Sequence, residues 1–450
     1  MTKPIDIDPQ TTTSLCPSCL ALIPAERRQE GDRLVLVKRC PDHGEFRALL
    51  WNGKPALAGW ARPRQPYRQE NCQTVTAKGC PFDCGICPGH RQQSCTVLLE
   101  VTGRCNLSCS VCFADSGSRA AHDPTIETIG GWYRRVQETS GPHNIIQLSG
   151  GEPTMRDDLP AIIALGRDLG FPFLQLNTNG VRLAAEPGYA RMLKDSGLFS
   201  VFLQFDGTDD AIYRALRGRP LLAEKLGAIE QCAAAGLGVV LVPTLVPGIN
   251  TGNVGSILQL ALELGPAVRG VHFQPASFFG RYSAAPTDDE RFTLPDLMRA
   301  IEEQTDGLIR TEHFRPPGCE HPRCSMHANF LRLPEGGLKP LTGHTPPGCC
   351  SSEPGDLGTG RAVSFVTRQW GAPYQEINAG EDSLEAFLET HRSNTLAVSA
   401  MAFQDVWNLD LERVQECCIH VAAPDGRLIP FCLYNLTSAS GTPLYRRPSC

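Results

Sequence analysis

The chain has 450 residues, 41% hydrophobic and 20% charged, an ordinary globular composition that at this length predicts two or three domains. A net charge of −6 gives no basic surface and argues against a nucleic-acid partner. No apolar run reaches the roughly 18 residues of a spanning helix, which leaves only a peripheral contact with a membrane open.

Twenty cysteines are the unusual number. They cluster in CxxC-like groups behind a polar N-terminus with no signal-peptide core, so metal ligation in the reducing cytoplasm is expected rather than disulfides. Residues 1–70 read as a small proline-punctuated module. Its "CPSC" and "CPDH" knuckles offer Cys16, Cys19, Cys40 and His43 around the strand-like "RLVLVKR". Two such knuckles suit one tetrahedral ion, zinc or rubredoxin-like mononuclear iron, which staples a module too small to hold itself together.

Residues 71–95 are turn-rich. They carry Cys80, Cys84 and Cys87, with Cys95 eight residues further on and Cys72 eight residues before. From residue 96 to 312 the texture changes. The strand candidates "TVLLEVT", "NIIQLSG", "FPFLQLNTNG", "LFSVFLQFDG", "LGVVLVPTLV" and "VRGVHFQP" alternate with helical stretches such as "TIETIGGWYRRVQETS" and "LLAEKLGAIEQCAAAG". This pattern predicts an α/β fold, a partial (β/α)6 barrel whose site gathers at the C-terminal ends of the strands. Residues 313–450 break the pattern and are expected to form a C-terminal auxiliary-cluster domain. There "SLEAFLETHRSN" and "LAVSAMAFQDVWNLDLERVQECC" read as helices, and a hairpin is expected around Asp425 and Gly426. Cys319, Cys324, Cys418 and Cys432 could close a cluster, with Cys349, Cys350 and Cys417 competing for the same places.

The spacing of Cys80, Cys84 and Cys87 recurs in Cys105, Cys109 and Cys112. Four thiolates close a four-iron cluster, whereas three leave one iron open to a ligand. The first triad has Cys95 or Cys72 as a fourth sulfur and follows no strand. The second has no cysteine between Cys112 and Cys232 and follows "TVLLEVT" directly. Cys105, Cys109 and Cys112 are therefore read as the open, catalytic cluster, and Cys80, Cys84, Cys87 and Cys95 as a closed auxiliary one.

"CNLSCSVCF" after a strand, together with "LSGGEPTMRDDL" after the next strand, resembles the radical S-adenosylmethionine (radical SAM) enzymes over residues 96–280. The resemblance implies that the open iron binds the cofactor's amino and carboxylate groups. Gly150 and Gly151 would then admit its methionine portion, and Glu152 would accept from its ammonium. Asn177, Asn179, Gln204 and Asp206 are ribose and carboxylate contacts in that reading, and the adenine packs near Pro247 and Gly248. His272 and Gln274 end the sixth strand, where a substrate would lie.

The order of knuckle, auxiliary cluster, radical loop and C-terminal cysteine set resembles the tetraether lipid synthase family, earlier taken for radical SAM pterin methyltransferases. That resemblance implies hydrogen abstraction from the methyl ends of lipid tails and carbon–carbon coupling into membrane-spanning lipids. The cofactors would be S-adenosylmethionine, 4Fe-4S clusters (one radical SAM, one or two auxiliary) and one zinc or mononuclear iron. The partners would be a reductant such as ferredoxin or flavodoxin and a lipid or other small molecule. Methylation of a pterin precursor and peptide modification are the alternative activities.

Overall fold

Four N-terminal strands alternate buried and exposed residues: β1 (Thr11–Leu15), β2 (Leu22–Glu30), β3 (Arg33–Cys40) and β4 (Gly44–Asn52). They pair antiparallel in sequence order to form a small sheet of their own. The computed structural model describes residues 10–60, 67, 69–117, 122–141, 144–282, 285–316, 318–333, 336–342, 369–371 and 393–446.

The second sheet has 12 strands. Its parallel centre is β5 (Thr96–Thr102), β6 (Ile145–Gly150), β7 (Phe173–Thr178), β8 (Ser200–Gln204), β9 (Gly238–Val242) and, after the two-residue β10 (Thr244–Leu245), β11 (Val268–Pro275). These strands lie side by side in chain order, β10 pairing with β11, with helices between them as the six-unit reading predicts. One helix absent from that reading, Asp210–Arg217, follows β8.

The period of two in each strand splits the sheet into two faces. Val97, Leu99, Ile146, Leu148, Leu174, Leu176, Val201, Leu203, Val239 and Leu241 all join the main core, which they share with helix residues such as Ile129, Ile162 and Ile229. The alternate residues face the other way, into the lumen of the open barrel: Leu98, Glu100, Gln147, Gln175, Asn177, Phe202, Gln204, Val240, His272 and Gln274.

The C-terminal part does not stand apart from the barrel. The strand β12 (Ser325–Arg332), with β13 (Leu338–Pro340) outside it, and β14 (Thr395–Met401) extend the sheet beyond β11. At the opposite edge β15 (Ile419–Ala422) pairs parallel with β5 and antiparallel with β16 (Leu428–Pro430). The expected hairpin is β15–β16. The helix expected from residue 396 is instead β14, followed later by a short helix, Leu411–Gln415. An uninterrupted apolar run buried on both faces is ambiguous between helix and strand. Pairing with β11 on one side and β12 on the other decides it here. Most of "SLEAFLETHRSN", together with Cys349 and Cys350, lies outside the described residues.

The N-terminal sheet is fastened to this C-terminal part by buried charge. Arg27 donates to Asp410 at 2.6 Å and to Glu412 at 2.9 Å, and Arg323 reaches Asp410 at 2.6 Å. Lys38, fully buried, spends its three N–H donors on Ser14 Oγ, Leu15 O and Val406 O. Burial pushes its pKa down to about 7.

Candidate active site and metal centres

The loop after β5 carries Cys105, Cys109 and Cys112 at the mouth of the barrel, each partly exposed. Three contacts fix it. Ser110 N donates to Leu216 O at 3.2 Å, and Arg217 Nη1 donates to Val111 O at 3.3 Å. Cys112 and Arg281 exchange backbone bonds of 3.1 and 2.9 Å. The glycine turn after β6 packs directly on this loop. A Cβ on Gly151 would stand 2.1 Å from Arg104 O, and one on Gly150, at φ +120, 2.1 Å from Thr102 O. Only glycine permits that approach.

Glu152 is buried. Its Oε1 accepts from Thr154 N at 3.1 Å, Thr154 Oγ1 at 2.7 Å and Thr178 Oγ1 at 2.7 Å, and its Oε2 accepts from Asn179 N at 2.6 Å. The carboxylate thus locks the ends of β6 and β7 together, and Oε2 keeps one acceptor site. Asn179 is spent within the protein, donating to Asn106 Oδ1 and accepting from Val181 N. Asp206 is fully buried and engaged. Arg217 grips it bidentately at 2.7 Å on each oxygen, while Thr244 N and Gln204 Nε2 also donate to it. Gln204 Oε1 accepts from Lys225 Nζ at 2.9 Å. Burial opposes the charge of Arg217, but Asp206 outweighs it and holds the guanidinium above its ordinary value. Asp206, expected to touch the cofactor, is here the anchor of Arg217, and Arg217 anchors the cysteine loop. Sequence reasoning missed Arg217 and Lys225, which sit on helices that carry no motif.

Asn177 is different. Its Oδ1 is buried with no partner among the described residues, while its Nδ2 lies 3.5 Å from Gln147 Oε1. An orphaned acceptor costs about 1–3 kcal/mol unless a ligand or water satisfies it. Three thiols on one loop beside a carboxylate, with an orphaned acceptor at the next strand end, fit a three-cysteine iron–sulfur cluster and its cofactor. Burial first, then the charge of Glu152 and the neighbouring sulfurs, pushes the Cys105 thiol up to about 11. A metal bound there would hold the sulfur as a thiolate.

In the N-terminal sheet, Cys16, Cys19, Cys40 and His43 place their ligand atoms within 4.8 Å of one another. His43 Nδ1 is 3.4 Å from Cys40 Sγ and 3.7 Å from Cys16 Sγ. This is a four-ligand set from two knuckles, the donor set that a tetrahedral ion takes.

The auxiliary sulfurs are grouped differently from the expectation. Cys95 does not join Cys80, Cys84 and Cys87; it meets Cys319 at 3.9 Å, and Cys319 meets Cys418 at 3.7 Å, all three buried. Metal–sulfur bonds of about 2.3 Å in a tetrahedron put sulfurs about 3.8 Å apart, so this set has the spacing of a single ion. Hydrogen bonds from Cys319 and then Cys418 lower Cys95 to about 6, so the set is predisposed to carry a thiolate. The reason for the regrouping is topological. Cys95 immediately precedes β5, and β15 pairs alongside it, with Cys95 N donating to Cys418 O at 2.8 Å. Cys80, Cys84 and Cys87 instead line a small cleft with His90, Val414, Gln415 and Pro430. Cys72 is exposed. Cys324 and Cys432 are not part of the Cys95 set.

His272 donates to or accepts from Ser399 Oγ at 2.9 Å and packs against Phe202. Burial lowers its pKa to about 4, so it stands neutral in the lumen.

A parallel sheet that opens with a three-cysteine loop and follows it with a glycine turn and a buried glutamate defines an iron–sulfur enzyme of radical chemistry. The comparisons agree. The Radical SAM superfamily model matches residues 99–261, and the HMPTM N-terminal zinc ribbon domain matches residues 9–52. Over 94% of its length the chain is 34% identical to 7,8-dihydro-6-hydroxymethylpterin dimethyltransferase of Methanocaldococcus jannaschii, covering 93% of that protein. It is 30% identical to a protein of Methanothermobacter marburgensis named "Probable GTP 3',8-cyclase", over 56% of this chain and 85% of that one. A crystal structure of Streptococcus suis SuiB superposes with a TM-score of 0.40 at 15% identity, covering 48% of this chain and 46% of that one. The chain belongs to the radical SAM superfamily and carries a zinc ribbon at its N-terminus.

Proposed function

We propose that this enzyme methylates a reduced, pterin-type heterocycle held in the barrel lumen. The observation that carries this reading is a row of carboxamides across the lumen face. Asn177 Nδ2 lies 3.5 Å from Gln147 Oε1, Gln147 Nε2 donates to Gln175 Oε1 at 2.7 Å, and Gln175 Nε2 donates to Ser200 Oγ at 2.8 Å. Such a row suits a planar ring with donor and acceptor edges and suits an alkyl chain poorly. Glu100, on the same face, is occupied by Arg446 at 2.6 and 2.8 Å, and Asn177 Oδ1 at the end of the row is the unpaired acceptor that a neutral ring would meet. Similarity along nearly the whole chain to a protein named as a pterin dimethyltransferase supports the same substrate class.

When bound, S-adenosylmethionine and its cluster supply a 5′-deoxyadenosyl radical that takes a hydrogen atom from a carbon of the substrate. This chain's residues do the rest. Cys105, Cys109 and Cys112 would hold the iron. Arg217, braced by Asp206, holds the loop in place. Glu152, with its remaining Oε2 site, would take one N–H of the cofactor's ammonium. His272, neutral and bonded to Ser399 Oγ, adds no charge to the lumen. A one-electron donor such as ferredoxin or flavodoxin would supply the electron.

A second reading, the coupling of alkyl tails, is favoured by a different surface. Aromatic rings run from Phe113, beside Cys112, to Phe431, beside Cys432, with centroids 5.4 Å apart, and continue through Phe403 and Phe279. That wall suits an apolar chain. No helix among the described residues is long and apolar enough to cross a membrane, so tails would have to be drawn out of a bilayer at its surface.

The two readings separate by products. Reduced enzyme is incubated with 7,8-dihydro-6-hydroxymethylpterin or with phospholipid, using cofactor labelled in its methyl group. Methylation gives label in the pterin, with one 5′-deoxyadenosine from the cofactor that takes the hydrogen and one S-adenosylhomocysteine from the cofactor that gives the methyl. Unlabelled, chain-joined lipid with about two 5′-deoxyadenosine per product would replace this reading with the second.

A further inference from the structure

Glu100 is the one charged residue in the strand "TVLLEVT", and it stands on the lumen face of β5. A carboxylate in such a place stays ionised only with a partner. The partner, Arg446, comes from 346 residues away. After the short helix Phe431–Asn435 the chain doubles back: Thr437 bridges Pro443, and Leu444 N donates to Leu436 O at 2.9 Å. Tyr445 Oη then donates to Pro81 O at 2.6 Å and accepts from Cys84 N at 3.0 Å. These contacts hold the tail in place and deliver Arg446 to Glu100.

The guanidinium is braced from several sides. Nη1 and Nη2 donate to the two Glu100 oxygens at 2.8 and 2.6 Å, and Nη2 also donates to Asn435 Oδ1 at 2.6 Å. Asn435 is itself fixed by donating to Phe431 O at 2.9 Å. The Tyr434 ring covers one face of the guanidinium, its centroid 4.8 Å away. Nε is buried with no partner among the described residues. The braces therefore aim one unspent N–H in a fixed direction, and that preorganisation favours a ligand acceptor. Glu100 already balances the cation, so the donor suits a neutral oxygen such as a ring carbonyl better than a phosphate or a carboxylate.

The strand register places this donor. Glu100 pairs with Ser149, and Leu148 with Leu176, so Glu100, Ser149 and Asn177 stand level on three adjacent strands. That level lies two residues before Thr102, which leads into the cysteine loop. Two strand spacings, about 10 Å, separate Glu100 from Asn177, a span that suits a bicyclic ring and its substituents. The Arg446 donor is held at one end and the unpaired Asn177 Oδ1 at the other.

We propose that Arg446 determines substrate specificity: its Nε–H donates to the ring carbonyl of the heterocycle, while Asn177 Oδ1 accepts an N–H from the far side. The proposal rests on the reading of the substrate as a pterin-type ring and adds which edge of that ring the C-terminal tail recognises.

The test is the affinity of the full chain, anaerobically reconstituted, for two ligands: 7,8-dihydro-6-hydroxymethylpterin and its 2,4-diamino analogue, in which an amine replaces the ring carbonyl. Wild type should prefer the carbonyl form by about tenfold or more, because the analogue turns a donor toward a donor. Arg446→Met should bind the pterin about tenfold more weakly and lose the preference. A merely structural role would weaken both ligands together and leave their ratio unchanged. If Arg446→Met does not fold, Glu100→Gln/Arg446→Met, which leaves no carboxylate unpaired, decides by the same ratio. A wild-type ratio in the variant, or no preference in wild type, would overturn the proposal and leave the pterin reading standing. Binding of neither ring by wild type would overturn both.

Discussion

Cys80, Cys84 and Cys87 have the same spacing as Cys105, Cys109 and Cys112, yet the molecule treats the two triads differently. The second sits on a strand end, with a glycine turn pressed against its loop and a guanidinium–carboxylate pair holding its backbone. The first sits in a turn-rich segment outside the barrel, in a cleft it shares with Val414, Gln415 and Pro430. Its Cys80 and Cys84 sulfurs hydrogen-bond each other, which lowers Cys80 and raises Cys84. Ligand spacing therefore announces a metal, while the scaffold around the ligands decides what the metal can do. A triad that is to face the cofactor, as we propose for Cys105, Cys109 and Cys112, needs immobile neighbours because its open position must meet a second molecule in one geometry. The other triad is braced at the surface instead: Arg427 donates to Cys84 O at 3.2 Å, but its partner Asp425 and its own side chain are partly exposed, where the Arg217–Asp206 pair is buried.

The comparison can be broken in graded steps. The largest effect is expected from Cys95→Ala. It should remove the metal held with Cys319 and Cys418 while iron at Cys80, Cys84 and Cys87 stays, as read by metal analysis and Mössbauer spectra. Loss of iron from the Cys80 triad instead would return Cys95 to that cluster.

Asp206→Asn breaks the buried pair with Arg217. Removing one partner of a buried ion pair costs about 3–5 kcal/mol, so chemical denaturation should show a loss of that order. Cofactor cleavage should fall with it, because the cysteine loop loses its brace. The corresponding lesion near the other triad, Asp83→Asn, removes a half-buried carboxylate that accepts from Ala77, Lys78 and Gly79 N and should leave cleavage unchanged.

Gly151→Ala forces a Cβ onto the Arg104 carbonyl. Overpacking of this kind costs about 1–3 kcal/mol, and the turn can relieve it only by moving away from the cluster loop. Thermal unfolding should shift down, and the Michaelis constant for S-adenosylmethionine should rise.

The smallest effect at neutral pH concerns the docking of the N-terminal sheet. Burial disfavours the charge of Asp410, but Arg323 and Arg27 outweigh it and hold the carboxyl well below its ordinary value. A depressed carboxylate contributes stability above its unfolded pKa of about 3.9, and that stability is lost as pH falls further toward the folded value. Hydrogen exchange of β1 and β2 should therefore be flat from pH 7 to about 5 and should loosen only in stronger acid. Asp410→Asn should loosen the same strands already at pH 7.

Local chemistry was legible in the sequence, and distant partnership was not. "CNLSCSVCF" and "LSGGEP" act within a few residues of themselves, so the cluster loop, the glycine turn and the barrel order could be read directly. Glu152 was legible as a site residue, but its bonds to Thr178 and Asn179 depend on the next strand. The partner of Asp206 is Arg217, 11 residues on, in a helix whose pattern gave no signal. The allegiance of Cys95 is set by Cys319, 224 residues away, through a sheet edge that no local pattern announces. β14 was hidden for the same reason, since its identity comes from its two neighbours and not from its own period.

The central claim is that the triad at the strand end, and not its twin, supports radical formation. The direct measurement is 5′-deoxyadenosine formed under reducing conditions by two matched variants, Cys105→Ala/Cys109→Ala/Cys112→Ala and Cys80→Ala/Cys84→Ala/Cys87→Ala. The account predicts no product from the first and continued cofactor cleavage by the second. Cleavage by the first with none by the second would contradict it.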